Sequence, residues 1–182
     1  MTAGLVLAAG EGKRFGGPKA PFVYEGERLV DRSVRVLREG GCDPIVVVLG
    51  AWVGEVPNAE IVVNGDWASG MGSSLQVGLA ALPDDVDAVL VTLVDLPGLT
   101  GEAISALTDG ADVETLTAAQ FGGKRANPVV LGRTHWTGVA ESAVGDQGAR
   151  AYLADRDVRL VPLDELANGD DLDVRPASDE AP

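Results

Sequence analysis

The chain has few of the residues that nucleophilic or zinc chemistry requires. Its 182 residues include one histidine, His135, and one cysteine, Cys42. Nucleophilic triads need a base beside the nucleophile, and zinc sites need several Cys or His ligands, so both classes are excluded. A single cysteine cannot form an internal disulfide, which predicts a reducing, cytoplasmic location.

Long apolar runs and excess positive charge are also missing. No run approaches the roughly 20 apolar residues of a membrane span. The N-terminus, residues 1–4, has no basic flank or cleavage site, which argues against a signal peptide. The formal net charge is −14, so no net positive field attracts polyanions. We therefore expect neither nucleic acid nor a membrane as a partner.

Aromatic residues make up only 4% of the chain and hydrophobic residues 46%, so the core must consist of Val, Leu, Ala and Ile. The length suits one α/β domain. Short apolar runs alternate with helical spacing up to about residue 108, which predicts a mostly parallel sheet. The expected strands are 5–9, 45–49, 60–63 and 88–93, and the expected helices are 28–39, 73–82 and 101–107.

The pattern changes in the second half of the chain. There we expect strands at 116–120 and 129–131 around a glycine turn, a helix at 147–154 and a last strand at 158–163. The prediction is a single three-layer α/β domain over residues 4–176, with a small β-extension in its second half. Residues 177–182 are expected to form a flexible tail.

The most informative segment is the glycine loop, residues 10–19, which follows the first predicted strand and reads GEGKRFGGPK. It holds two of the three lysines of this acidic chain. Ligands of open α/β sheets bind at the carboxyl ends of strands. Glycines let backbone N–H groups approach phosphate oxygens, Arg14 offers a planar fork and Lys19 a compact charge. The pattern predicts a phosphate-binding loop.

Two other loop types fit these glycines less well. A Walker A loop is excluded because Pro18 replaces the required lysine and no Ser or Thr follows Lys19. A dinucleotide fingerprint needs a helix that begins among the glycines, and Gly16-Gly17-Pro18 would break one. It also needs an acidic residue after the second strand, where the sequence has Leu49-Gly50. The dinucleotide loop and a plain turn remain the alternatives.

Candidate metal ligands are carboxylates. Asp95 follows the predicted strand 88–93, so it would face the same crevice as the glycine loop. Mg²⁺ in phosphoryl-transfer sites is held by one or two carboxylates plus substrate. The structural alternative for Asp95 is a turn or helix-cap aspartate. A second acidic cluster, residues 170–173, would by itself more often be a solvated tail.

Together these motifs resemble the MobA-like NTP transferase family. The segment from Leu7 to Lys19 is similar to the family pattern Leu-Ala-Ala-Gly-x-Gly-x-Arg-x-Gly followed by Pro-Lys, and the closer match is the branch containing molybdenum cofactor cytidylyltransferase. The resemblance implies a Rossmann-like fold of the nucleotide-diphospho-sugar transferase type. It also implies a nucleotide-binding set of Leu7, Ala8, Ala9, Gly10, Gly12, Arg14, Lys19 and Asp95.

The resemblance further implies a Mg²⁺ site. Asp95 corresponds to the metal-binding aspartate of a Gly-Asp-x-Pro motif, although Val94 replaces the usual small residue. Residues 170–173 are similar to the family's Asp-Ile-Asp-Thr segment, which makes Asp173 the second ligand and Asp171 the alternative. Arg14, Lys19 and Asp95 are the expected catalytic residues, because the two cations would offset charge at the α-phosphorus.

Two further loops resemble the cytidylyltransferase branch. In residues 64–75, Ser73 and Ser74 would bind base or ribose groups, or cap the following helix. In residues 145–150, Asp146 would contact substrate or open a helix. Asn127 stands where the branch has Gly-His before proline, which leaves the acceptor open.

The expected reaction is attack by a small acceptor on the α-phosphorus of an NTP, with release of pyrophosphate. The resemblance implies a molybdopterin-type cofactor as the candidate acceptor. CTP is the preferred donor over GTP and ATP on this resemblance. Two other functions remain open: an NAD(P)H-dependent oxidoreductase on the same scaffold, and a non-catalytic nucleotide-binding partner of a molybdoenzyme.

Overall fold

The structure is a computed structural model that describes residues 1–176. Its strands are β1 (Thr2–Leu7), β2 (Val23–Tyr24), β3 (Glu27–Arg28), β4 (Ile45–Leu49), β5 (Glu60–Val63), β6 (Ala88–Leu93), β7 (Leu116–Phe121), β8 (Lys124–Gly132) and β9 (Arg159–Pro162). The predicted domain range of residues 4–176 stays a prediction. The flexible tail expected over 177–182 lies outside the described residues.

Seven strands form one sheet in the order β5-β4-β1-β6-β8-β7-β9. The first four are mutually parallel, β8 is antiparallel to both β6 and β7, and β7 is parallel to β9. The prediction of a single α/β domain with a mostly parallel sheet is therefore confirmed. The extra strands of the second half, β7 to β9, extend this same sheet.

The helices cover both faces of the sheet. They are α1 (Leu29–Glu39), α2 (Met71–Ala80), α3 (Gly101–Thr108), α4 (Trp136–Ser142) and α5 (Arg150–Leu153). Because successive strand residues point to opposite faces, Val6 of β1 packs in the core with α1 and α3, whereas Leu5 packs in the core with α2 and α4. Across residues 1–176, every helix is too short or too polar to span a bilayer.

Some predicted boundaries were wrong. The first strand ends at Leu7 rather than at residue 9, which leaves Ala8 and Ala9 in the loop. Helix α2 begins at Met71 with Gly70 as its N-cap residue. The serines expected as possible caps therefore lie inside the first turn, and the capping alternative is wrong.

The predicted helix over residues 147–154 is interrupted. Gly148 has a φ of 51° and separates a 3₁₀ turn, Gly145–Gln147, from α5. A further feature, the hairpin of β2 and β3, was not predicted, because two-residue strands carry no periodic pattern. Its turn residues, Glu25 and Gly26, both have positive φ, as a type I′ hairpin turn requires.

Candidate active site

The glycine loop leaves β1 and folds back on itself without starting a helix. The Gly12 carbonyl accepts hydrogen bonds from the N–H groups of Gly16 at 2.9 Å and Gly17 at 3.1 Å. Gly12 has a φ of 62°, and a Cβ there would lie 2.0 Å from the Gly17 carbonyl oxygen. Since the chain then forms the β2–β3 hairpin before α1 begins, the loop lacks the strand-to-helix step of a dinucleotide fingerprint.

The loop borders a cavity of about 480 Å³ at the carboxyl ends of β1 and β6, within the size range of small-molecule sites. Most of the residues predicted from the sequence line it: Leu7, Ala8, Ala9, Gly10, Gly12, Arg14, Lys19, Ser74, Asp95 and Asp173. Ser73 and Asp171 do not line it. Arg14 is exposed at this cavity and forms no ion pair with any residue from 1 to 176.

Lys19 lies between the two carboxylates that were expected to hold a metal ion. Its Nζ is 2.8 Å from Asp95 Oδ2 and 3.7 Å from Asp173 Oδ1. The side chains of Lys19 and Asp95 are only 15% and 19% exposed, whereas that of Asp173 is 59% exposed. The ammonium therefore neutralises a largely enclosed carboxylate, a contact that the sequence did not predict.

Asp95 has the features of a metal ligand. Its Oδ1 is buried and has no hydrogen-bond partner, and such an oxygen is costly unless a ligand satisfies it. Its main-chain carbonyl accepts the N–H of Leu172 at 2.9 Å, which attaches the segment carrying Asp173 beside it. Within residues 1–176 no cluster of three or more potential ligands occurs. Two carboxylates completed by phosphate oxygens fit Mg²⁺, which prefers oxygen ligands and often takes several from substrate and water.

Asp171, the alternative ligand, lies in a neighbouring groove with Arg32 and Leu172. Burial raises the pKa of its carboxyl, the negative charges of Asp95 and Asp173 raise that pKa further, and Lys19 opposes the shift. Of the two candidates only Asp173 reaches the cavity, so the geometry favours it, and its role stays a prediction.

One wall of the cavity is held in place by Asn64, to which the sequence analysis assigned no role. This side chain is 2% exposed. Its Nδ2 donates to Ser73 Oγ at 2.8 Å and to Ser74 Oγ at 3.0 Å, while its Oδ1 accepts the N–H of Asp66. The signal that could have identified it is a lone asparagine directly after a strand, where polar side chains meet the ligand edge of an α/β sheet.

The two serines predicted to bind base or ribose differ in their surroundings. Ser73 Oγ lies 2.9 Å from the Gly70 carbonyl and 3.0 Å from the Asp66 carbonyl, so its hydroxyl hydrogen already has acceptors within the protein. Ser74 accepts from Asn64, and its own hydroxyl hydrogen has no acceptor among the described residues. Ser74 is therefore available to donate to a ligand in the cavity.

Three more residues line the cavity, and of these the sequence analysis gave a role only to Asp146, as a substrate contact or a helix-opening residue. Asp146 does not open a helix; it lines the cavity, and its Oδ1 accepts the N–H of Met71, at the start of α2, at 3.4 Å. Phe15, inside the glycine loop, is buried, and Lys19 Nζ lies 5.8 Å from the centre of its ring. Trp67 also lines the cavity. Aromatic side chains inside loops carry no periodicity by which they could have been found.

Two relatives carry names of different kinds. The chain is 37% identical to a nicotine blue oxidoreductase of Paenarthrobacter nicotinovorans, over 95% of this chain and 92% of that protein. It is 54% identical to a probable molybdenum cofactor guanylyltransferase of Opitutus terrae, over only 25% of this chain and 23% of that protein.

Solved structures share the fold. A nucleotidyl transferase of Methanothermobacter superposes with a TM-score of 0.77 at 21% identity, covering 89% of this chain and 87% of its own. The Rv0371c protein of Mycobacterium tuberculosis superposes with a TM-score of 0.76 at 22% identity, covering 90% and 88%. A manganese complex of that protein has also been solved. At these identities the likeness shows the fold.

The family model of the MobA-like NTP transferase domain matches residues 4–161. That range includes the glycine loop and Asp95, and it confirms the resemblance noted from the sequence. By this match the chain belongs to the MobA-like NTP transferase family, whose members are nucleotidyltransferases.

Proposed function

We propose that this protein transfers the NMP part of an NTP, with CTP as the donor and Mg²⁺ as the cation, to a small acceptor, and releases pyrophosphate. The observation that carries the proposal is the convergence of the glycine loop, Lys19 and Asp95 on one cavity, with Asp95 Oδ1 buried and unpaired. Cations and an oxygen ligand for a metal are thus arranged around a single space that suits a polyphosphate.

Each residue of the site has its own role in the proposed reaction. The backbone from Leu7 to Gly12 approaches the phosphates, since its glycines add no Cβ. Arg14 and Lys19 supply positive charge where negative charge grows in the transition state. Asp95 and Asp173 would hold Mg²⁺, which when bound neutralises phosphate charge.

The nucleophile in this proposal is the acceptor itself. No histidine or cysteine is found among the described residues that line the cavity, so a covalent enzyme intermediate on such a side chain has no support. An acceptor phosphate or hydroxyl oxygen bonds to the α-phosphorus, the bond from that phosphorus to the bridging oxygen breaks, and pyrophosphate leaves. Catalysis then consists of positioning and charge stabilisation.

The choice of CTP and of a molybdopterin-type acceptor rests on two loop resemblances and on the name of one relative. The loops at residues 64–75 and 145–150 resemble the cytidylyltransferase branch, and one relative is named as a molybdenum cofactor guanylyltransferase. CTP and GTP therefore both belong in the test.

The test has two stages. Calorimetry with CTP, GTP and ATP, each with and without Mg²⁺, should give Mg²⁺-dependent binding, and pyrophosphate release should then appear with one acceptor of a panel. Asp95→Asn is expected to lose the Mg²⁺-dependent part of binding while melting as a folded protein. Absence of binding by all three nucleotides would contradict the proposal.

A second function is favoured by one observation, the 37% identity to a protein named as an oxidoreductase. On that hypothesis NADPH binds without Mg²⁺ and transfers hydride to an organic acceptor. The shape of the glycine loop, which starts no helix, argues against the usual dinucleotide site. NADPH binding that is unaffected by EDTA and by Asp95→Asn would favour the oxidoreductase.

A third hypothesis, a non-catalytic nucleotide-binding partner of a molybdoenzyme, predicts NTP binding with no pyrophosphate release over the whole acceptor panel. None of the relatives described above is named as such a partner.

A further inference from the structure

We propose that Asp146 selects the nucleobase, its carboxylate accepting a hydrogen bond from the exocyclic amino group of the base. This inference rests on the proposed NTP-binding function and adds the residue that tells one base from another. It begins from the way in which two other loops beside the cavity are joined to each other.

The two loops, residues 67–72 and 143–148, are packed backbone to backbone. A Cβ on Gly70 would lie 2.5 Å from the carbonyl carbon of Gly145, and a Cβ on Gly72 would lie 2.4 Å from the carbonyl oxygen of Ala143. Gly70 also has a φ of 115°, which side chains rarely permit. Only glycine allows this approach, so the position of the second loop relative to α2 is determined by these contacts.

The second loop presents Asp146 to the cavity. Gly145 and Gly148, on either side of Asp146, have φ values of 58° and 51°, so the chain turns both before and after this residue. From α2, Gln76 Nε2 donates to the carbonyls of Ala140 at 2.8 Å and Ala143 at 3.2 Å, which holds the approach to the loop. A side chain on a rigidly held loop suits ligand recognition, because little conformational entropy is lost when the ligand binds.

The charges that line the cavity suit different parts of an NTP. Arg14 and Lys19 belong to the glycine loop. Outside that loop, the Asp146 carboxylate accepts from the Met71 N–H, which places a negative charge where the start of a helix would otherwise attract phosphate. The surroundings of Asp146 therefore repel the triphosphate and accept N–H donors.

The groups around Asp146 suit an amino-bearing base. Trp67 and Met71 contribute apolar surface for a flat ring, and Ser74 contributes a hydroxyl hydrogen with no acceptor among residues 1–176. One acceptor and one donor match the amino group and neighbouring ring nitrogen of cytosine. In uracil a carbonyl oxygen replaces that amino group, and it would face the carboxylate.

CTP and UTP therefore make the sharpest pair of probes, because the two bases differ at this edge. The dissociation constants of both nucleotides with Mg²⁺ are measured by calorimetry for the full chain, for Asp146→Asn and Asp146→Ala, and for Asp155→Asn. The last variant removes the same charge from an exposed aspartate outside the cavity. Thermal melts check that each variant is folded.

The expected result is that the unsubstituted protein binds CTP about tenfold or more tightly than UTP, as one hydrogen bond to a charged group predicts. Asp146→Asn and Asp146→Ala should bring the two constants together, mainly by weakening CTP, whereas Asp155→Asn should keep the original ratio. The inference is overturned if the unsubstituted protein binds both nucleotides equally, or if both Asp146 variants keep its ratio. Failure of the unsubstituted protein to bind any NTP would instead reject the proposed function, and this inference with it.

Discussion

Replacing Lys19 with methionine separates the structural role of this lysine from its proposed catalytic one. Its Nζ lies 2.8 Å from Asp95 Oδ2, and both side chains are less than one-fifth exposed. Methionine keeps the length of the side chain and removes the charge. Asp95 would then be left enclosed with neither oxygen paired, because its Oδ1 already lacks a partner.

The size of the effect follows from burial. Removing one partner of a fully buried ion pair costs about 3–5 kcal/mol, and exposed pairs contribute about 0–1 kcal/mol. The Lys19–Asp95 pair is largely but not fully enclosed, and the contact with Asp173 at 3.7 Å is mostly exposed and adds little. We therefore expect Lys19→Met to lose about 2 kcal/mol of unfolding free energy, or about 4–8 °C in melting temperature for a chain of this size.

Thermal melts in EDTA and in increasing Mg²⁺ measure this directly. A divalent ion that binds the folded state stabilises it by mass action, and only in the variant does it meet Asp95 and Asp173 without a competing ammonium. Mg²⁺ should therefore raise the melting temperature of Lys19→Met more than that of the unsubstituted protein. With substrates present, kcat should fall by about 100-fold or more, as for the loss of one group that stabilises transition-state charge.

Lys124→Met is the matched control, because Lys124 is exposed at the start of β8 and does not line the cavity. Its melting temperature and its Mg²⁺ response should equal those of the unsubstituted protein. An unchanged melting temperature for Lys19→Met in EDTA, or an equal Mg²⁺ response in all three proteins, would refute the reasoning that Lys19 and the metal neutralise the same carboxylates.

Three further results are expected. Gly12→Ala should lose NTP binding and about 1–3 kcal/mol of unfolding free energy, because the new Cβ would meet the Gly17 carbonyl. Gly10→Ala is the control, since a Cβ there would meet nothing within 4 Å and the melting temperature should not change. Equal melting temperatures of the two variants would contradict this prediction. Because the folded-state pKa of Asp171 is raised above its ordinary 3.8, its ionised form destabilises the fold above that raised pKa and no longer does so below 3.8. Asp171→Asn should therefore melt higher near neutral pH, with the difference vanishing in acid, and a constant difference across a pH series of melts would count against it. Burial raises the pKa of the Cys42 thiol to about 12, so a disulfide reagent should label it only when the protein unfolds; labelling that is independent of denaturant would rule this out.

Much of the fold could be predicted because the deciding information is local. The strands at 45–49, 60–63 and 88–93 were predicted with the bounds that the structure has. Apolar runs suit strands buried on both faces, as 45–49 and most of 88–93 are, whereas 60–63 is a largely exposed edge strand. The glycine loop was also found locally, because tight turns restrict which residues can occupy them. The interrupted helix after residue 145 and the β2–β3 hairpin were missed, because positive φ values at a few residues decide them.

The sequence by itself determined the family, the alternating strands and helices, and the cation-bearing loop after β1. These depend on residues that are neighbours along the chain. Only the tertiary structure decided that Lys19 meets Asp95, 76 residues away, that Asn64 uses the hydroxyl of Ser73 within the wall, and that Asp146 lies at the start of α2. The direction of a side chain at such places is set by packing between distant segments, which no local pattern of residues records.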